Sequence, residues 1–235
     1  MQDFTAAFGL AFGLIVSADP DLVAIVLLSL RVSLSAVVLA CLVGLPLGAA
    51  LAVVRFPGRG AVLVLLNALM GFPPVVAGLL LYLLLSNAGP LGFLRLLYTP
   101  TAMILAQAVL VAPIVAALTR QVIEDLHREY DEQLSSLQVA GLDLVRTLLW
   151  DARYSLLTVA LAGFGRAIAE VGAVIIVGGN INHVTRVMTT TIALETARGN
   201  LALALALGLI LMALTTAVNA AVAGIRATMA HTAYA

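Results

Sequence analysis

Long apolar runs broken by short polar turns set the pattern of this chain. Residues 4 to 16 are apolar but too short to cross a bilayer, and Asp19, Pro20 and Asp21 close them. This predicts a helix lying at the outer interface over residues 1–21. An uncharged run from Val32 to Val54, 23 residues, is long enough for a span. Leu22 to Leu30 lead into it, with Arg31 near the head groups, and Gly44, Pro46 and Gly48 predict close helix packing or a kink. After the basic turn Arg55-Phe-Pro-Gly-Arg59, a second uncharged run reaches Leu94, interrupted by Phe72-Pro73-Pro74. Pro74 lacks a ladder donor and biases Pro73 away from helical geometry, which predicts a broken or strongly kinked span over 60–86. Asn87-Ala-Gly-Pro90 reads as a turn into an outer loop over 88–100. A third span is expected over 101–119, kinked at Pro113. A fourth is expected from Tyr154 to Val177, then a polar stretch over 180–200, and a fifth span over 201–225. The fold class expected is all-α, a polytopic helical membrane protein with five transmembrane helices.

The stretch from Arg120 to Arg153 breaks this pattern. It holds 11 of the 24 charged residues in 34 positions. Leu134, Leu137, Gly141, Val145 and Leu148 recur at three- and four-residue steps, which is helical spacing. Acids gather at its front (Glu124, Asp125, Glu129, Asp131, Glu132), where a helix N-terminus favours negative charge. A polar helical loop is predicted, with an apolar stripe suited to docking into another protein. A plain solvated connector is the competing reading, but connectors are usually shorter.

Composition narrows the function classes. The chain is 63% apolar and 10% charged, with a mean hydropathy of +1.13, more apolar surface than a soluble domain of this size can bury. Net charge is zero, which leaves no nucleic-acid footprint. All 12 basic residues are arginine. A phosphate-binding P-loop needs its lysine, so this chain is expected to carry no ATPase site, and a Schiff-base lysine is excluded likewise. The single Cys41 permits no disulfide within the chain. His127, His183 and His231 are scattered, so no metal site and no catalytic residue are expected. The opening Met-Gln-Asp lacks a basic segment, so no cleaved secretory signal is expected. Arg55, Arg59, Arg120, Arg128, Arg146, Arg153 and Arg226 fall on one side of the five spans, and Arg95, Arg186 and Arg198 on the other. The arginine-rich side is predicted to be cytoplasmic, placing the N-terminus outside.

Two groups of residues carry candidate chemistry. Arg166 and Glu170 stand four apart within the fourth span, where charges are costly and face a bundle interior or a wet cavity. They are either a structural ion pair or part of a permeation path. Asn180, Asn182, Thr185 and Thr189 to Thr191 offer donors for an anion path, or are simply a solvated outer loop.

A charged helical loop in a chain without an ATPase reads as a coupling element for a separate ATPase subunit. Here the sequence resembles the permease subunits of binding-protein-dependent ABC importers of type I. On their loop signature Glu132 takes the place of the glutamate, Gln133 and Leu134 those of an alanine pair, and Gln138 that of a glycine. Gly141 supplies the helix-to-helix turn three positions later. Gly163-Phe-Gly-Arg-Ala-Ile-Ala-Glu-Val-Gly172, Val177-Gly-Gly-Asn-Ile181, Thr185-Arg186, Thr189 to Glu195 and Arg198-Gly199 are similar to the tungstate branch of oxyanion permeases. Leu27 to Ser33 with Gly44 to Gly48 resembles the family's first core span. The resemblance covers residues 22 to 225.

The resemblance implies one permease domain over 22–235, with a cytoplasmic coupling loop over 120–153. That loop would be held in the ATPase through Glu132, Gln138, Gly141 and Leu142. It further implies a homodimer in the lipid of the inner (cytoplasmic) membrane, and two ATPase subunits carrying ATP and magnesium, with no cofactor in this chain. An extracytoplasmic oxyanion-binding protein would deliver tungstate; molybdate or another tetrahedral oxyanion is the near alternative. A single-component secondary transporter is the alternative of a different class, and would show more spans, inverted repeats and coupling ionisable groups.

Overall fold

The computed structural model describes residues 4–136, 139 and 141–233; Leu137 and Gln138, both named above, lie outside the described residues. Among the described residues the regular elements are helical. Helix α1 (Phe4–Val16) is followed by a turn in which the Asp19 carboxylate accepts the backbone N–H groups of Asp21 and Leu22, both at 3.1 Å. With Asp19 capping and Pro20 in the first helical position, the start of α2 (Pro20–Val53) is strongly specified. At 34 residues α2 is roughly 51 Å long, well beyond the hydrocarbon thickness of about 30 Å. It passes Pro46 without interruption.

The chain turns at Gly58, and Arg59 Nε donates to the Leu51 carbonyl at 2.9 Å, closing the exposed end of α2. Helix α3 (Arg59–Met70) stops at Gly71, Pro73 is extended (φ −62°, ψ 123°), and Pro74 opens α4 (Pro74–Leu85). The helix break expected at the proline pair is therefore present, with α3 and α4 bent by 99° to each other. A 3-10 turn (Gly92–Leu94) leads to α5 (Pro100–Glu129), which is continuous through Pro113 and runs ten residues past the expected end of the third span. Arg120, Glu124 and Arg128, at steps of four, hold the added turns together.

Helices α6 (Asp131–Ser136) and α7 (Gly141–Asp151) follow, then α8 (Arg153–Ile168) and α9 (Gly172–Gly178). Two expectations need correction here. The fourth span is not one helix but is broken over 169–171, and the polar stretch over 180–200 is not a loop throughout, since it contains α10 (Met188–Arg198). Helix α11 (Leu201–Ala233) is the last element among the described residues. Three helices are long and apolar enough to cross a membrane, or up to five when each broken pair counts as one span. The chain is thus an all-α, multi-pass membrane protein.

Backbone contacts divide it into two compact units. The first comprises residues 1–36, 73–107 and 166–218, with Met103, Val174, Val177, Met188 and Leu207 fully buried. The second comprises 37–72, 108–165 and 219–235, with Val111, Val115, Ile123 and Leu148 fully buried. In the second unit α2 meets α5 through glycine. A Cβ on Gly44 would lie 2.9 Å from Val115 Cβ, and one on Gly48 would overlap the Ala116 carbonyl oxygen. Only glycine lets the two backbones approach this closely.

Candidate functional site

The charged stretch of the second unit forms a helical corner built on a salt-bridge hub. Glu124 accepts from Arg120 and lies 3.6 Å from Arg59 and 3.5 Å from Arg128. Tyr130 sits beside Asp151, whose negative charge, with smaller shares from burial, a hydrogen bond and Glu129, pushes the Tyr130 phenol up. Gly141, which opens α7, has φ +63° and open space where a side chain would stand. The residue is glycine for its left-handed backbone, not for want of room.

The apolar stripe meets this chain's own spans, which corrects its reading as a partner-docking face. Leu134, Leu144 and Leu148 are buried in one cluster with Ala49, Ala52, Ile123, Ala152 and Leu156, and Val145 packs against it. The outer face of α7 is different. Leu142 is 74% exposed and Trp150 73%, with exposed Arg146 between them at the same four-residue step. Glu132 is exposed on α6. At the junction of α7 and α8 the Arg153 guanidinium lies over the Trp150 and Tyr154 rings, at 5.2 and 4.7 Å. This is an aromatic and cationic anchor of the kind found at membrane interfaces.

In the first unit Arg166 and Glu170 form an ion pair at 2.6 Å, Glu170 4% exposed and Arg166 37%. Glu170 lies in the break after α8 and not on its helix. Its second carboxylate oxygen accepts the Ala173 N–H at 3.2 Å, capping the start of α9. Its own carbonyl accepts the Thr189 hydroxyl at 2.8 Å, and the Ala167 carbonyl accepts Gln107 Nε2 at 2.9 Å. Broken helices at membrane depth survive only where other groups satisfy the freed backbone, and these bonds do so. Sequence reasoning passed over Gln107 and Ser29. Their signal was present, as buried polar side chains inside apolar runs; Ser29 Oγ donates to the Ile25 carbonyl and accepts the Met188 N–H, both within 2.8 Å.

The threonine region is not a solvated loop. Thr185, Thr189, Thr190 and Thr191 are buried. Thr185 donates to the Gly178 carbonyl at 2.6 Å and accepts the Ile181 N–H, while Thr191 donates to the Val187 carbonyl at 2.7 Å. Thr190 Oγ accepts the Val187 N–H and lies 2.9 Å from Asn180 Oδ1. These hydroxyls hold the chain between α9 and α10 in shape, and their protons are already donated within the protein.

Residues 44–231 match the family described as binding-protein-dependent transport system inner membrane component. A tungstate uptake system permease protein of Peptoclostridium acidaminophilum is 39% identical over 222 residues, covering 94% of this chain and 97% of that protein. A probable anion ABC transporter permease protein of Haloferax volcanii is 40% identical over 204 residues, 85% of this chain and 88% of that protein. A second tungstate uptake permease, from Campylobacter jejuni, is 42% identical over 150 residues, 64% of this chain and 63% of that protein. With a family match over most of its length, a multi-pass helical fold and relatives aligned nearly end to end, this chain belongs to the inner membrane components of binding-protein-dependent ABC transport systems.

Proposed function

We propose that the chain is the membrane-spanning subunit of an importer for tungstate. The observation that carries this reading is the 39% identity to a tungstate uptake permease along 94% of the chain. Two copies would form the path in the inner membrane, with the N-terminus outside. The absence of lysine is consistent with ATP and magnesium residing on separate ATPase subunits. An extracytoplasmic binding protein would hand over the anion. In this reading the ATPase grips Glu132, Leu142 and the exposed face of α7, and its nucleotide-driven closure moves the spans as rigid bodies. The exposed Leu142 and Trp150 support that role, because among the described residues little covers them.

The test is to purify the permease with its ATPase subunits, reconstitute it in vesicles, and supply the binding protein loaded with tungstate, molybdate or sulfate in parallel. ATP-dependent accumulation of tungstate ahead of the other two is expected. Accumulation of molybdate or sulfate with no tungstate uptake would overturn the assignment.

A further inference from the structure

In the first unit, α2, the first residue of α5 and the segment between α9 and α10 line an open cleft of about 330 Å³, in which Arg31, Asn182 and His183 are exposed and Arg186 is half-buried. Its wall includes Asp21, Arg31, Asn182, His183 and Arg186. Among the described residues neither arginine has an ion-pair partner, and Asp21 stands in the same wall beyond ion-pair distance of both. Arg186 Nε is buried with no acceptor. A buried guanidinium N–H left unbonded is costly, so such groups normally meet an acceptor. Arg31 stands eleven residues into α2 and its guanidinium is exposed in the wall of the cleft, where an anion from solvent can reach it.

The donor set decides the ligand class. Two guanidinium groups, an amide and an imidazole can all donate, and guanidinium geometry suits the paired oxygens of an oxyanion. One carboxylate among them makes a poor cation site. We infer that this cleft is an oxyanion-binding site, with Arg31 and Arg186 supplying charge and Asn182 and His183 supplying further donors. The inference rests on the anion-import reading and names a place for the anion on this chain, separate from the threonine region whose hydroxyls are already engaged.

Equilibrium dialysis of radiolabelled tungstate against the permease–ATPase complex, without binding protein, tests it. Wild type should bind saturably, and Arg186→Gln and Arg31→Gln should each bind about tenfold more weakly or worse. Arg186→Lys should fall between, keeping the charge but losing the planar fork. Gel-filtration profiles report folding, and if Arg186→Gln aggregates, Arg31→Gln and Arg186→Lys decide. No saturable binding by wild type, or unchanged binding by the variants, overturns the inference. So does normal tungstate binding by variants that lose only affinity for the loaded binding protein, since the cleft would then receive a partner's carboxylate. Wild-type uptake of tungstate without a dialysis signal defeats this inference alone. Import of some other solute and not tungstate defeats the reading beneath it.

Discussion

Removing Arg166 should harm this protein more than neutralising Glu170, although the two form one ion pair. Glu170 is 4% exposed, whereas Arg166 is 37% exposed. Arg166→Ala therefore strands a buried carboxylate whose remaining hydrogen bond is the Ala173 N–H. Breaking a buried pair in this way costs about 3–5 kcal/mol. Glu170→Gln strands a guanidinium that water already reaches, and glutamine can still accept the Ala173 N–H, so a loss of about 1–2 kcal/mol is expected. The double variant Arg166→Gln/Glu170→Gln removes both charges and keeps the cap, so it should be far more stable than Arg166→Ala. A charge swap should recover stability only in part, because an arginine at 170 cannot accept an N–H. In detergent, followed by circular dichroism, Arg166→Ala should lower the unfolding midpoint by roughly 6–20 °C, at 2–4 °C per kcal/mol for a chain of this size. Equal midpoints for Arg166→Ala and wild type, or a larger drop for Glu170→Gln than for Arg166→Ala, would refute the reasoning.

Three further outcomes are expected. Gly48→Val should abolish monodisperse protein on gel filtration, because its Cβ would overlap the Ala116 carbonyl oxygen, whereas Gly60→Ala, which meets nothing within 4 Å, should express normally. Leu142→Asp combined with Trp150→Ala should weaken co-purification of the ATPase subunits while leaving the unfolding midpoint in place; Leu148→Asp, at a fully buried position, should fail to fold. In a Cys41→Ser background, a cysteine at Asn87 should react with a membrane-impermeant maleimide in intact cells, and one at Asp143 should react only after lysis. The reverse pattern would invert the topology.

The spans were legible because apolar length is the membrane's own criterion, and the gap between α3 and α4 was legible because Pro73 and Pro74 forbid a continuous ladder. The gap between α8 and α9 left no such mark. It is held open by Glu170 capping α9 and by Gln107, sixty residues away in sequence, bonding the Ala167 carbonyl. Pairings across that distance are not encoded in local pattern. Helix α5 outruns the third span for a related reason: hydropathy reports where the apolar run stops, not where the helix stops, and Arg120, Glu124 and Arg128 continue the helix past it. The stripe through Leu134 and Leu148 had the right period, but a period does not say whose surface it meets, and here it is this chain's own. Polarity at Thr189 to Thr191 suggested exposure, yet threonine hydroxyls bond readily to nearby carbonyls and bury well once they do.

The burial of Leu144 and Leu148 against Ile123, Ala49 and Ala52 has a mechanical consequence. A lever works only if its joint has no play. Because α7 is wedged by close-packed side chains against α2 and α5, a push on Leu142 or Trp150 cannot be absorbed by a slack linker. Protein interiors packed this tightly yield little under load, so the displacement passes at once to the two long helices. Stiffness at this joint, more than the strength of the grip on α7, would then set how much of each stroke reaches the membrane. Thinning the joint, as Leu148→Ala would, should lower transport per ATP hydrolysed while ATP turnover itself continues.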